Sequence, residues 1–151
     1  MAPQLSIQNS NLLGGVLAIL IYLLVISLLL GRLFGQGNLE RVLGIFLILL
    51  IFPLTYLLIS AFYLDRPRIY VLQVGLMILF LIVELALDYI FEVPFRTVRW
   101  QTIAYVMLFF GATGGMIGVA SLAGRVWSVV AVIGFLVMGG VSFLQRHITG
   151  L

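Results

Sequence analysis

The chain has 151 residues, 64% of them hydrophobic and 9% charged, with a net charge of +3 and a mean hydropathy of +1.28. A soluble domain carries roughly a quarter charged residues, so the composition points to an all-α integral membrane protein. All eight cations are Arg, Lys and Cys are absent, and His147 is the sole imidazole, which excludes lysine Schiff-base chemistry, disulfides, thiolate nucleophiles and cysteine-held metals and argues against a multi-histidine or haem centre within this chain.

A membrane-spanning helix needs about 20 mainly apolar residues, because each residue rises about 1.5 Å through a hydrocarbon layer of roughly 30 Å. Five segments meet that length. The first is predicted over 12–30 and is closed by Gly31 and Arg32. The eleven residues before it carry no Lys or Arg, unlike the basic start of a signal peptide, so this segment is expected to be a retained helix.

The second segment, 42–62, follows the turn-forming Gly35, Gln36, Gly37 and Asn38 and contains Pro53. Proline inside a helix frees a carbonyl and bends the axis. Thr55 and Tyr56 are therefore candidates to line an opening there, the alternative being a static kink held by neighbouring helices.

The third segment, 69–91, enters after Pro67 and carries the most informative side chains. Glu84 and Asp88 are four residues apart, so they share a helix face, and Gln73 lies within about 20° of the same direction at 100° per residue. Glu84 sits roughly 10 Å below the expected boundary, a depth at which a carboxylate must face protein or water rather than lipid. It is a candidate cation, proton or headgroup site, with Asp88 in support. The competing reading is structural, with both acids paired to Arg32, Arg41, Arg96 or Arg99 and locking helix ends together.

The fourth segment, 102–122, holds Gly111, Gly114, Gly115 and Gly118. Small residues four apart let helix backbones approach closely, so this segment is expected to be the most tightly packed. The fifth, 126–144, is joined to it through Gly124 and Arg125, a connection short enough to make the two antiparallel neighbours. The glycine faces suit packing within the chain or contact in a homodimer or larger membrane complex.

With five spans, Arg32, Arg41, Arg96, Arg99 and Arg146 collect at one side and Arg66, Arg68 and Arg125 at the other. The excess marks the cytoplasmic side, which puts the N-terminus outside and the C-terminus in the cytoplasm of a multi-pass inner-membrane protein. Arg96 with Arg99, like Arg66 with Arg68, also suits anionic lipid headgroups.

The whole chain thus reads as one helical membrane domain with short loops and membrane lipids as its surroundings. No nucleic-acid, metal or cofactor motif occurs, nor a glycine-rich phosphate loop, HExxH or GxSxG. The expected function is a transporter, channel or ligand-binding bundle with its polar site on the third segment. The alternative is a non-catalytic subunit or assembly factor of a membrane complex. An interfacial lipid-modifying enzyme using Asp88 lacks a nucleophile or metal motif.

Overall fold

Ser6 starts the first helix: its hydroxyl oxygen accepts the Asn9 backbone N–H at 3.2 Å, satisfying one of the donors that a helix start leaves unpaired. In this computed structural model, which describes residues 6–92 and 94–149 apart from the Phe95 side chain, the first helix α1 spans Ile7–Leu33. Gly35 closes it with a φ of +68°, in the left-handed region. Then come α2 (Gly37–Leu49), α3 (Ile51–Tyr63), α4 (Arg68–Glu84), a π-helical turn (Leu85–Ile90), a 3₁₀ turn (Phe95–Thr97), α5 (Arg99–Ser121) and α6 (Arg125–Thr149).

Every regular element among the described residues is helical, and with α2 joined to α3 and α4 to its π turn the chain forms five helical stretches of 23 to 27 residues, long and apolar enough to cross a membrane. Their bounds exceed the predicted apolar runs at both ends of the chain. Hydropathy marks where polar side chains begin, whereas the backbone stays helical until a cap or a turn stops it. α1 therefore begins at Ile7 rather than residue 12, and α6 runs through Gln145, Arg146 and His147 to Thr149.

The second predicted span is the one with a break, and proline explains its place. Pro53 has no N–H for the carbonyl of Leu49, and its ring would crowd that carbonyl. The chain tightens just before it: the Leu50 N–H donates to Leu47 at 3.1 Å, and Leu54 resumes the regular pattern by donating to Leu50 at 3.1 Å. α2 and α3 follow one another across this joint.

α1 is the centre of the bundle and packs on α2, α3, α5 and α6, while α4 packs most broadly on α5. Leu17, Ala18, Ile21, Tyr22 and Val25 of α1 are buried. The glycine-rich α5 is expected to be the most tightly packed segment; the most enclosed helix is α1, half of whose apolar stretch is buried against a third for α5. The reason lies in glycines of α1 and α6. A Cβ on Gly14 would come within 2.7 Å of Val119, and one on Gly134 within 3.1 Å of the Tyr22 ring. On α5 itself, Gly115 and Gly118 receive Gln73 of α4 and Gly114 faces Phe135 of α6, whereas Gly111 has nothing within 4 Å of a Cβ position.

At the end of the bundle where α1 starts, Arg66 ties α4 to α1. Its guanidinium donates to the Ile7 carbonyl at 3.1 Å and to Asn11 Oδ1 at 2.5 Å, and lies 5.1 Å from the centre of the Tyr70 ring. The hydroxyls of Ser10 and Tyr70 are buried there without a hydrogen-bond partner among the described residues.

Candidate functional site

The opposite end of the bundle gathers the ionisable side chains. α1 ends there, α2 begins, α4 passes into its π turn and α5 starts, so antiparallel topology brings residues distant in sequence to one level. Arg32 is the hub. Its Nε lies 2.5 Å from Glu40 Oε1 across the tight α1–α2 loop, and its Nη2 lies 3.5 Å from Asp88 Oδ2. Arg96 reaches the same Asp88 oxygen at 4.0 Å.

Glu84 lies beneath this network and is 5% exposed. Its direct partner is not an arginine: the Tyr105 hydroxyl, on α5, donates to Glu84 Oε2. Two carboxylates on one segment thus have different roles. Asp88 belongs to the arginine network and Glu84 to a buried tyrosine. The π turn separates them, since the Phe91 N–H donates to Ala86 five residues back, at 2.9 Å, rather than four. One residue is inserted into the helical ladder at this point, and such insertions re-aim the side chains that follow. Tyr89, in the same turn, reaches α2, where its hydroxyl donates to the Arg41 carbonyl at 3.3 Å. Gly44 leaves the room: a Cβ there would overlap the Tyr89 hydroxyl.

A cavity of about 110 Å³ opens beside Glu84. Val25, Leu29, Phe80, Phe109 and Phe110 form its apolar floor, and Arg32, Glu84, Arg96, Tyr105, Gln145 and Arg146 its polar wall. The floor is rigid because the rings interlock, with Phe80 5.5 Å from Phe109 and Phe109 5.1 Å from Phe110, both edge to face. A second cavity of about 340 Å³ lies outward of the network and shares Arg32, Glu84 and Arg96 with the first, adding Arg41, Asp88 and Glu92. Glu84 and the two arginines form the partition between them.

The residues singled out by sequence fall in four places. Glu84, Asp88, Arg32, Arg41 and Arg96 come together at this end. Gln73 lies on the α5-facing side of α4 as Glu84 does, but it packs against Gly115 and Gly118 and lines neither cavity. Thr55 and Tyr56 line neither cavity, and Tyr56 is 46% exposed on α3. Arg99 is exposed on the first turn of α5.

Sequence reading missed Tyr105, Glu40, Tyr89 and Arg146. A signal existed for Tyr105: a phenol inside an apolar helix needs a partner for its hydroxyl, and the nearest helical neighbour offers a buried acid. For Glu40 and Arg146 nothing local distinguishes a hub residue from an ordinary charge at a helix end.

Among the described residues, no three His, Cys, Asp or Glu side chains are grouped so that they could hold a metal ion. No family model, curated protein or solved structure matches this chain.

Proposed function

We propose that the chain is a multi-pass integral membrane protein that acts as a ligand-binding bundle, with its binding site in the cavity beside Glu84. The membrane part of this reading rests on five apolar helices whose outer faces carry large apolar side chains. α6 buries only Ala131 and Met138, and Val126, Ile133, Leu136 and Phe143 on it all point outward, a surface that lipid covers and water would not tolerate. The binding part rests on one observation. Glu84 is a buried carboxylate in the wall of an open cavity, held by a tyrosine and, among the described residues, in ion-pair contact with no arginine, unlike Asp88. A carboxylate kept only to lock helices would be expected to take the arginine that Asp88 takes.

The absence of native Cys makes the test direct. Ser142 lines the cavity, so Ser142→Cys should react with a small charged thiol reagent applied from the side on which Thr149→Cys reacts. Thr113→Cys, at a fully buried position, should remain inert. A Ser142→Cys that stays inert in phosphatidylcholine nanodiscs, which offer no anionic lipid, would mean the cavity is closed and would remove the binding reading.

A second reading, as a subunit or assembly factor of a membrane complex, is favoured by a different observation. Gly111 and Gly140 have nothing within 4 Å of a Cβ position, which leaves close-approach sites on α5 and α6 open to another helix. Native mass spectrometry after mild detergent extraction decides this: a heteromeric assembly supports the subunit, a lone chain the ligand-binding bundle.

A further inference from the structure

We propose that the ligand of this cavity is an anionic amphiphile, with a single phosphate or carboxylate head held by Arg96 and Arg146 and an alkyl chain laid over the phenylalanine floor. The inference rests on the binding reading above and specifies what is bound.

Charge is the first ground. The wall holds three guanidinium groups, Arg32, Arg96 and Arg146, against one carboxylate, Glu84. Arg32 is neutralised by Glu40 and Asp88, and Glu84 accepts the Tyr105 hydroxyl deeper in the cavity. Arg146, on the last turn of α6, forms no ion pair among the described residues. Arg96, 4.0 Å from Asp88, shares that acid with Arg32, so Arg146 is the guanidinium that a cationic ligand would face, whereas the planar fork of arginine matches phosphate or carboxylate oxygens in pairs. Thr102, Ser142 and Gln145 add neutral hydrogen-bonding groups at the same level.

Shape is the second ground. Arg32 and Val25 both line the cavity and stand seven residues apart on α1, a depth of roughly 10 Å at 1.5 Å per residue. Over that depth the lining changes from guanidinium groups to Leu29, Phe109 and Phe110. A bare inorganic anion would use the upper half and leave the aromatic floor wet. An uncharged hydrocarbon would use the floor and leave the arginines unanswered. The volume, about 110 Å³, is somewhat below the roughly 150 Å³ cavity that holds benzene in an engineered protein core. It accepts a headgroup and the start of a chain, the remainder lying along the open side.

The test uses the whole chain purified in a maltoside detergent, with thermal stability as the readout. Dodecyl phosphate below its micellar concentration should raise Tm saturably, and inorganic phosphate and dodecyltrimethylammonium should not. Arg146→Gln, which breaks no ion pair among the described residues, should weaken the dodecyl phosphate effect about tenfold. Arg99→Gln removes a cation from the same end but outside the cavity and should leave it unchanged.

The two sources of such a ligand are separated in nanodiscs by the reactivity of Ser142→Cys. Protection in phosphatidylglycerol relative to phosphatidylcholine identifies a bilayer lipid, and protection only on adding dodecyl phosphate identifies a free amphiphile. Either supports the inference. Equal stabilisation by inorganic phosphate, stabilisation by the cationic amphiphile instead, or equal loss in Arg99→Gln overturns it. If no amphiphile acts while Ser142→Cys stays reactive, the amphiphile inference fails and the open cavity survives; a Ser142→Cys inert in phosphatidylcholine without added amphiphile removes both.

Discussion

Glu84 and Tyr105 depend on each other in a way that the arginines do not share. The Tyr105 hydroxyl donates to the carboxylate, and a glutamine at position 84 still offers a carbonyl oxygen in the same place. Glu84→Gln should therefore cost less than about 1 kcal/mol, the ordinary net worth of one hydrogen bond, whereas Glu84→Leu removes the acceptor that the Tyr105 hydroxyl uses and should cost about 1–3 kcal/mol. Chemical or thermal unfolding of both variants checks the order, and a Glu84→Gln loss as large as that of Glu84→Leu would show that an arginine, not Tyr105, is the working partner. A contrasting case stands at the other end of the bundle. The Tyr70 hydroxyl is buried with no partner among the described residues, so Tyr70→Phe removes a polar group without removing a bond, keeps the ring beside Arg66, and should leave stability unchanged or raise it. A loss above about 1 kcal/mol would reveal a partner for that hydroxyl, such as a bound water. The difference in legibility between the two tyrosines is instructive. Glu84 stood out in the sequence because a lone acid in an apolar run is costly wherever it points, but a tyrosine is at home in a membrane helix, so neither Tyr105 nor Tyr70 announced whether its hydroxyl was engaged.

The glycines of α5 differ from one another although their spacing is the same. Gly118 is in close contact with Gln73 and Gly115 lies 3.4 Å from it at the Cβ position, while Gly111 is open. Replacing Gly118 or Gly115 by Leu should push α4 away and lower Tm in detergent, Gly118 more than Gly115, and Gly111→Leu should be tolerated by the monomer. Tolerance of Gly118→Leu would mean the two helices do not meet there. A four-residue spacing states that a helix has a small-residue face; it does not state which neighbour occupies it. The assignment of α4 rather than α6 as the main partner of α5 comes from non-local packing. The same limit applies to the π turn at Leu85–Ile90. Helical periodicity placed Asp88 beside Glu84, correctly in level, but an inserted residue changes direction without leaving a mark in composition. Proline was more legible, because its missing N–H and its ring act within four residues, and the break at Leu50 lies within that distance of Pro53.

Taken whole, the bundle has two unlike ends. One carries Arg66, Arg68 and Arg125 with Asp65; the other carries Arg32, Arg41, Arg96, Arg99 and Arg146 with Glu40, Glu84, Asp88 and Glu92. The net charges nearly cancel the contrast, yet orientation follows the cation count close to helix ends and acids contribute little. That favours the five-arginine end, with the Glu84 cavity, on the cytoplasmic side. Two of those five, Arg32 and Arg96, also contact Asp88, so they act in the fold as well as in any topogenic signal. Single Cys probes read the arrangement without background, since the chain has no Cys. Ser6→Cys and Arg66→Cys should react with an impermeant reagent outside intact cells, and Asn38→Cys, Thr97→Cys and Thr149→Cys only after the membrane is opened. The reverse pattern would turn the protein over and make the cavity face outward, with the five-helix fold intact. Labelling of Ser6→Cys and Thr149→Cys from the same side is the outcome that five spans cannot produce, because an odd number of crossings must put the two ends of the described chain on opposite faces.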